Sequence, residues 1–126
     1  MSWDTARNDL RDLVAAARPG WTVTSQVPEK AAAPIAVIDF PEPPYVDFEG
    51  ATFGGRNLYL DVIVAVPKGS NDVVASAVNE ALEAVVDAVE DSDDYVPTSV
   101  EAGSVSLNGQ LFSGGVVRCR TEVRRG

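Results

Sequence analysis

Residues 57–66, Asn-Leu-Tyr-Leu-Asp-Val-Ile-Val-Ala-Val, limit the possible folds more than any other stretch of the chain. Leu58, Leu60, Val62, Val64 and Val66 alternate with Tyr59, Asp61, Ile63 and Ala65, which is the period of a β-strand. Toward Val66 both sets become apolar. A strand of that kind belongs in the middle of a sheet, with a helix or a partner covering each face. The rest of the chain must therefore provide flanking strands and at least one helical layer.

Both are legible. Trp3, Ala6, Leu10, Leu13, Val14 and Ala17 recur at spacings of three and four, so residues 3–17 read as an amphipathic helix. Arg18-Pro19-Gly20 ends it, since proline cannot extend a helix and glycine allows a reversal. A strand is expected over 21–27, with Trp21, Val23 and Val27 on one side. A second is expected over 34–40. After the central strand, Pro67-Lys68-Gly69 breaks the pattern and Ser70 or Asn71 can cap a second helix reaching about Val89. Its stripe is Val74, Val78, Ala81, Leu82, Val85 and Val89. Valine is a middling helix former, so packing on a sheet must supply much of that helix's stability. Two last strands, 99–107 and 110–124, flank Asn108-Gly109, the favoured pair for a two-residue hairpin turn. Gly114-Gly115 implies a bulge or a close backbone approach. On the final strand Val117, Cys119, Thr121 and Val123 face inward, opposite Val116, Arg118, Arg120, Glu122 and Arg124. The expected order is α-β-β-β-α-β-β: an α+β domain with two main helices on a mostly antiparallel sheet.

The chain has 126 residues, 45 % of them apolar. One domain of residues 1–126 with one core fits that length, since domains commonly run to about 100–150 residues. The opening Met1-Ser2-Trp3-Asp4 is charged where a signal peptide would be apolar, and the longest apolar run, Val62–Val66, has five residues, against the roughly 20 a membrane helix needs. The expectation is a soluble protein with no membrane partner, made in a cytoplasm. The single cysteine, Cys119, agrees with a reducing compartment.

Residues 41–56, Pro-Glu-Pro-Pro-Tyr-Val-Asp-Phe-Glu-Gly-Ala-Thr-Phe-Gly-Gly-Arg, stand apart. Prolines 41, 43 and 44 exclude a central strand. Yet the segment holds Tyr45, Phe48 and Phe53, three of the nine aromatic residues. It reads either as a hairpin or loop folded onto its own core, or as an arm whose aromatics contact a neighbouring subunit.

Residues with catalytic chemistry are sparse. The chain contains no histidine, which removes Ser-His and Cys-His pairs and the commonest metal ligand. Cys119 lies mid-strand on the apolar side and reads as a buried structural thiol. The acidic link 90–94 lacks the alternating ligands and glycine of a calcium loop. Gly54-Gly55 and Gly114-Gly115 lack the lysine and hydroxyl of a phosphate loop. The expectation is a protein that is not an enzyme, with no cofactor and no specific metal site.

Charge is the more informative property. The net charge is −9, and residues 69–117 carry nine acids and no base, while the remainder balances ten acids with ten bases. An acidic surface of this kind disfavours tight binding of nucleic acid. Glu83, Asp87, Glu90, Asp91, Asp93 and Asp94 form its main run. Arg118, Arg120, Arg124 and Arg125 crowd the last strand, three of them on one face. They read either as charge protecting an edge strand or as one half of a complementary pair of patches. Identical subunits with such patches dock head to tail and close into a ring if the rotation allows.

The helix ending Ala-Ala-Ala-Arg-Pro-Gly-Trp (15–21), the strand Pro-Ile-Ala-Val-Ile-Asp-Phe-Pro (34–41), Thr-Phe-Gly-Gly-Arg (52–56) and Leu-Tyr-Leu-Asp-Val-Ile-Val-Ala-Val-Pro-Lys-Gly-Ser (58–70) resemble the tail terminators, also called tail completion or minor tail proteins, of long-tailed actinobacterial phages. The valine-rich helix and C-terminal hairpin extend the likeness over nearly the whole chain, in pattern and length and not in a catalytic motif. The resemblance implies a virion structural protein at the tail–neck junction, assembled in the bacterial cytoplasm. It implies a hexameric ring that caps the tail tube, ends its polymerisation and offers the head–tail connector or stopper a docking surface. DNA would pass through the lumen without specific binding. Ring contacts are expected at Pro44, Tyr45, Phe48, Phe53 and Arg56 and at the C-terminal arginines, with the acidic run on an outer or lumenal surface. The alternatives are a neighbouring neck protein, connector or stopper, and a small α+β ligand- or protein-binding module.

Overall fold

The computed structural model describes residues 2–51 and 54–124. Two helices lie on one face of a six-stranded, mostly antiparallel sheet, so the α+β class and the expected order hold, with one two-residue strand added.

Helix α1 (Trp3–Ala17) starts at Ser2, whose Oγ accepts a hydrogen bond from the Thr5 amide at 3.0 Å, satisfying one of the open N–H groups of the first turn. It buries Ala6, Leu10 and Val14. Strand β1 (Thr22–Thr24) is shorter than expected because the Thr24 hydroxyl bonds both the amide and the carbonyl of Gln26, closing a local turn that competes with the ladder. Val27 therefore lies beyond the strand and is exposed.

The connection 25–34 leads into β2 (Ile35–Asp39), which runs parallel to β1. Strand β3 (Val46–Asp47) and β2 both pair with β4 (Gly55–Val66). The other side of β4 is paired along its whole length, Gly55 to Val66, with β6 (Gln110–Arg124). Since β6 fills that side, β3 lies on the same side of β4 as β2. The outermost strand at the opposite edge is β5 (Val96–Leu107), joined to β6 through Asn108 (φ 51°) and Gly109 (φ 83°). Left-handed backbone at both turn positions is what the twist of a two-residue hairpin requires, and Asn-Gly supplies it. The sheet order is β1-β2-β4-β6-β5.

Helix α2 (Asn71–Asp91) crosses β4, β6 and β5 and buries Val78, Ala81, Leu82, Val85 and Val89. These meet Leu58, Leu60, Val62, Val64, Val117 and Cys119, all fully buried, and the buried face of α1. Tyr95, in the link from α2 to β5, is buried with its hydroxyl donating to the Ala6 carbonyl at 2.7 Å, which fastens that link to α1.

The second face of the sheet has a smaller cluster: Ile35, Val37, Ala65, Val105 and Leu107, with Ala31 of the 25–34 connection laid over it. Asn108 Nδ2 donates to the Glu29 carbonyl at 2.7 Å and ties that connection to the hairpin turn. The apolar run at the end of β4 thus has cover on both faces, as its pattern demands.

The double glycine serves a close approach and not a bulge. The ladder is in register through Ser113, Gly114 and Gly115, and the irregularity falls at Pro97/Ser99. A Cβ on Gly115 would stand 2.9 Å from Leu82 Cδ1 and 2.5 Å from the Glu101 carbonyl oxygen, and one on Gly114 would collide with the Val64 carbonyl. Only bare backbone lets α2 seat Leu82 on β6. Gly115→Ala should lower stability by about 1–3 kcal/mol, the usual cost of overpacking, read as a lower urea midpoint at unchanged slope.

Candidate functional site

The uncovered part of the second sheet face carries a polar row of which the sequence singled out only Arg118. Its members alternate with core residues on β4 and β6. Asp61 lies directly opposite Arg118, and Asp61 Oδ1 accepts from Arg118 Nε at 2.9 Å while Oδ2 accepts from Nη2 at 3.3 Å. This hydrogen bond raises the already high pKa of Arg118 further. One step along, Asp47 on β3 accepts from Asn57 Nδ2 at 2.8 Å and from Tyr59 Oη at 2.9 Å. The Asn57 bond, then the Tyr59 bond, holds the Asp47 carboxyl below its ordinary value of 3.8, and the same carboxylate raises the Tyr59 phenol. Asn57 is buried, and its Nδ2 also donates to the Glu49 carbonyl at 2.7 Å. Both oxygens of each carboxylate are thus engaged, in a network that pins β3 and the 47–49 turn to β4.

These contacts bear on the two readings of residues 41–56. Much of the described part of the segment packs on its own domain. Tyr45 stacks on Phe40 with centroids 4.9 Å apart and meets Trp3 edge-on at 6.1 Å. The Arg7 guanidinium lies 5.1 Å from the Phe40 centroid, and the Tyr45 carbonyl accepts from the Tyr59 amide at 2.8 Å. Tyr45 is therefore a packing residue, because its own core offers it two aromatic rings. Pro44 is exposed beside it. Phe48 is the exception: it is 68 % exposed, with the Arg56 guanidinium 5.9 Å from its ring centroid. Phe53 and Arg125 lie outside the described residues.

The arginines do not protect an edge. Strand β6 is interior, since β4 takes one side and the Asn-Gly turn folds β5 onto the other. Arg118, Arg120 and Arg124 do share the second face, at positions opposite Asp61, Tyr59 and Gly55. Arg118 is held by Asp61, and Arg124 Nη2 lies 3.5 Å from Glu122.

On the β6 side the free edge is β5, and it borders the acidic flank. Glu83, Asp87, Glu90, Asp91, Asp93 and Asp94 are all exposed. Between α2 and β5 runs a groove of about 350 Å³ with Leu82, Val86, Val100 and Ala102 at its base and Glu83 and Asp87 on its rim. Val100 is 47 % exposed there. A second hollow of about 320 Å³, sharing Asn79 and Ala102, continues it toward Gly103 and Ser104. The small side chains of β5 on this face, Ala102, Gly103 and Ser104, leave this trough open.

Cys119 is fully buried between Leu60 and α2, and burial pushes its thiol up to about 12. Among the described residues no three Asp, Glu or Cys side chains come together as metal ligands, and no helix is long and apolar enough to cross a membrane. No family model and no curated protein sequence matches the chain.

Two outcomes follow from these groups. Thiolate is the reactive form, so Cys119 in the native protein at pH 8 should resist a chromogenic disulfide reagent that labels the urea-unfolded chain completely. Asp47 has a folded pKa below its unfolded one, so its network stabilises the fold above pH 3.8 and is lost as pH falls through the lower folded value. The melting-temperature gap between wild type and Asp47→Ala should therefore be full at pH 7 and shrink as the solution is acidified below that point.

Proposed function

We propose that this protein is a structural assembly subunit of a phage virion, the ring-forming tail terminator that caps the tail tube and presents the head–tail joining surface. The observation that carries the reading is the distribution of features over opposite edges of one sheet. One edge is a twelve-residue strand, β5, with unused hydrogen-bonding groups beside an acid-rimmed apolar groove. The other ends in an exposed aromatic ring capped by a guanidinium. Unlike patches at opposite ends of a subunit favour heterologous contacts, which generate closed rings or open filaments, whereas a two-fold dimer joins like to like.

The remaining chemistry suits that role. The Asp61–Arg118 and Asp47–Asn57–Tyr59 groups hold β-strands in register. The excess negative charge on residues 69–117 gives such a ring an acidic surface along which DNA slides without sticking. On this reading the partners are further copies of the chain, six to a ring, the tail tube protein, and a connector or stopper from the head side. The same geometry would serve a neighbouring neck ring, and loss of the gene separates the two: a terminator mutant makes overlong tails, a connector mutant makes normal tails that fail to join heads.

Negative-stain electron microscopy of the purified protein, alone and mixed with tail tubes, should reveal rings with a central hole or caps on tube ends. Compact small particles that ignore the tubes would overturn the assembly role.

A further inference from the structure

We infer that the contact between neighbouring subunits is a knob in a groove: Phe48 with Arg56 of one copy seats in the α2–β5 groove of the next. The inference rests on the ring reading above and names the surfaces that would make the ring.

The knob is a side chain out of place on a monomer. Phe48 follows β3 on the outer edge of the sheet, and the turn beneath it is locked by Asp47 accepting from the Glu49 amide at 3.3 Å and by Asn57 bonding the Glu49 carbonyl. A phenyl ring 68 % exposed on a rigid turn loses little conformational freedom when it docks, which is the property of an anchor residue. Tyr45, three residues earlier, is packed at home, so the exposure of Phe48 is specific to that position. Arg56, on the adjacent strand, stands over its ring and adds a positive charge to the knob.

The groove has the complementary chemistry. Its base is aliphatic: Leu82 and Val86 of α2, and Val100 and Ala102 of β5. Its rim holds Glu83 and Asp87, neither in an ion pair among the described residues. An apolar base takes the ring, and two carboxylates face the guanidinium that travels with it. The knob lies at the β3 edge and the groove at the β5 edge, with β4 and β6 between them. One copy therefore cannot fill its own groove, and each copy offers one donor and one acceptor surface. The occupant that matches both the ring and the charge is a second copy of this chain. Opposite charges at the rim would fix register and speed encounter more than they add affinity.

The test uses two full-length variants, Phe48→Asp and Val100→Asp. Both positions are exposed, and circular dichroism with thermal melting checks that each variant keeps the wild-type fold. Aspartate at 48 faces the acidic rim, and aspartate at 100 closes the apolar base; the two changes do not complement each other. Size-exclusion chromatography with light scattering should find wild-type rings, each variant alone as a monomer, and an equimolar mixture as a 1:1 heterodimer with no rings. In the mixture the intact knob of the Val100 variant meets the intact groove of the Phe48 variant, so one interface survives per pair. Rings from either variant alone, or a mixture that stays monomeric, would overturn the knob-and-groove contact and leave the ring itself standing. A wild-type protein that is monomeric at every concentration and absent from tube ends would overturn the ring reading and this inference together.

Discussion

The pairing of β4 on both of its sides organises the molecule. Its twelve residues are matched to β6 without a break, and to β2 and then β3 on the other side. Every other element is placed by reference to that ladder. The two helices cover the face made by Leu58, Leu60, Val62 and Val64, and the 25–34 connection covers Ile63 and Ala65 on the other. Where that second cover stops, the strand changes character: Asp61 and Tyr59 form a polar row paired with Arg118 and Asp47, and Asn57 is buried under the 47–49 turn. The point at which β4 turns from apolar on both faces to apolar on one marks the boundary between core and surface.

Much of this was legible from periodicity. The limits of α1, the placement of β4, the two faces of β6 and the Asn108-Gly109 turn all follow from local pattern, because each is set by spacing or by backbone conformation at one or two residues. The short β1 was not, since Thr24 and Gln26 settle it through a side-chain hydrogen bond that competes with pairing. Nor could the interior position of β6 be read, because strand order is a matter of non-local pairing. That is also why the arginines suggested an edge.

The candidate surface was legible in composition but not in detail. Pro44, Tyr45, Phe48 and Arg56 belong to one unusual segment, yet only the fold divides them into a packed Tyr45 and an outward Phe48. The division depends on Phe40, on the other side of a proline-rich turn, and on Trp3, distant in sequence, and no helix or strand spacing links either to Tyr45. The acidic run was plain, but the trough beside it forms only where α2 and β5 come together, and the packing of α2 on β6 uses the bare backbone of Gly115, which admits Leu82. The Asp61–Arg118 pair joins residues 57 apart in sequence, and nothing local in either strand marks the two as partners.

The β4–β6 ladder also has a consequence for how the chain is made. Gly55 pairs with Arg124, and each further step along β4 pairs with a residue earlier in β6. The middle strand therefore leaves the ribosome well before its longest partner exists, and β5–β6, a hairpin of local contacts, is the unit that can form quickly once both strands emerge. Until then the apolar stretch 62–66 has no sheet to enter. The chain should therefore complete its sheet, and with it its core, only after residues 110–124 have been synthesised.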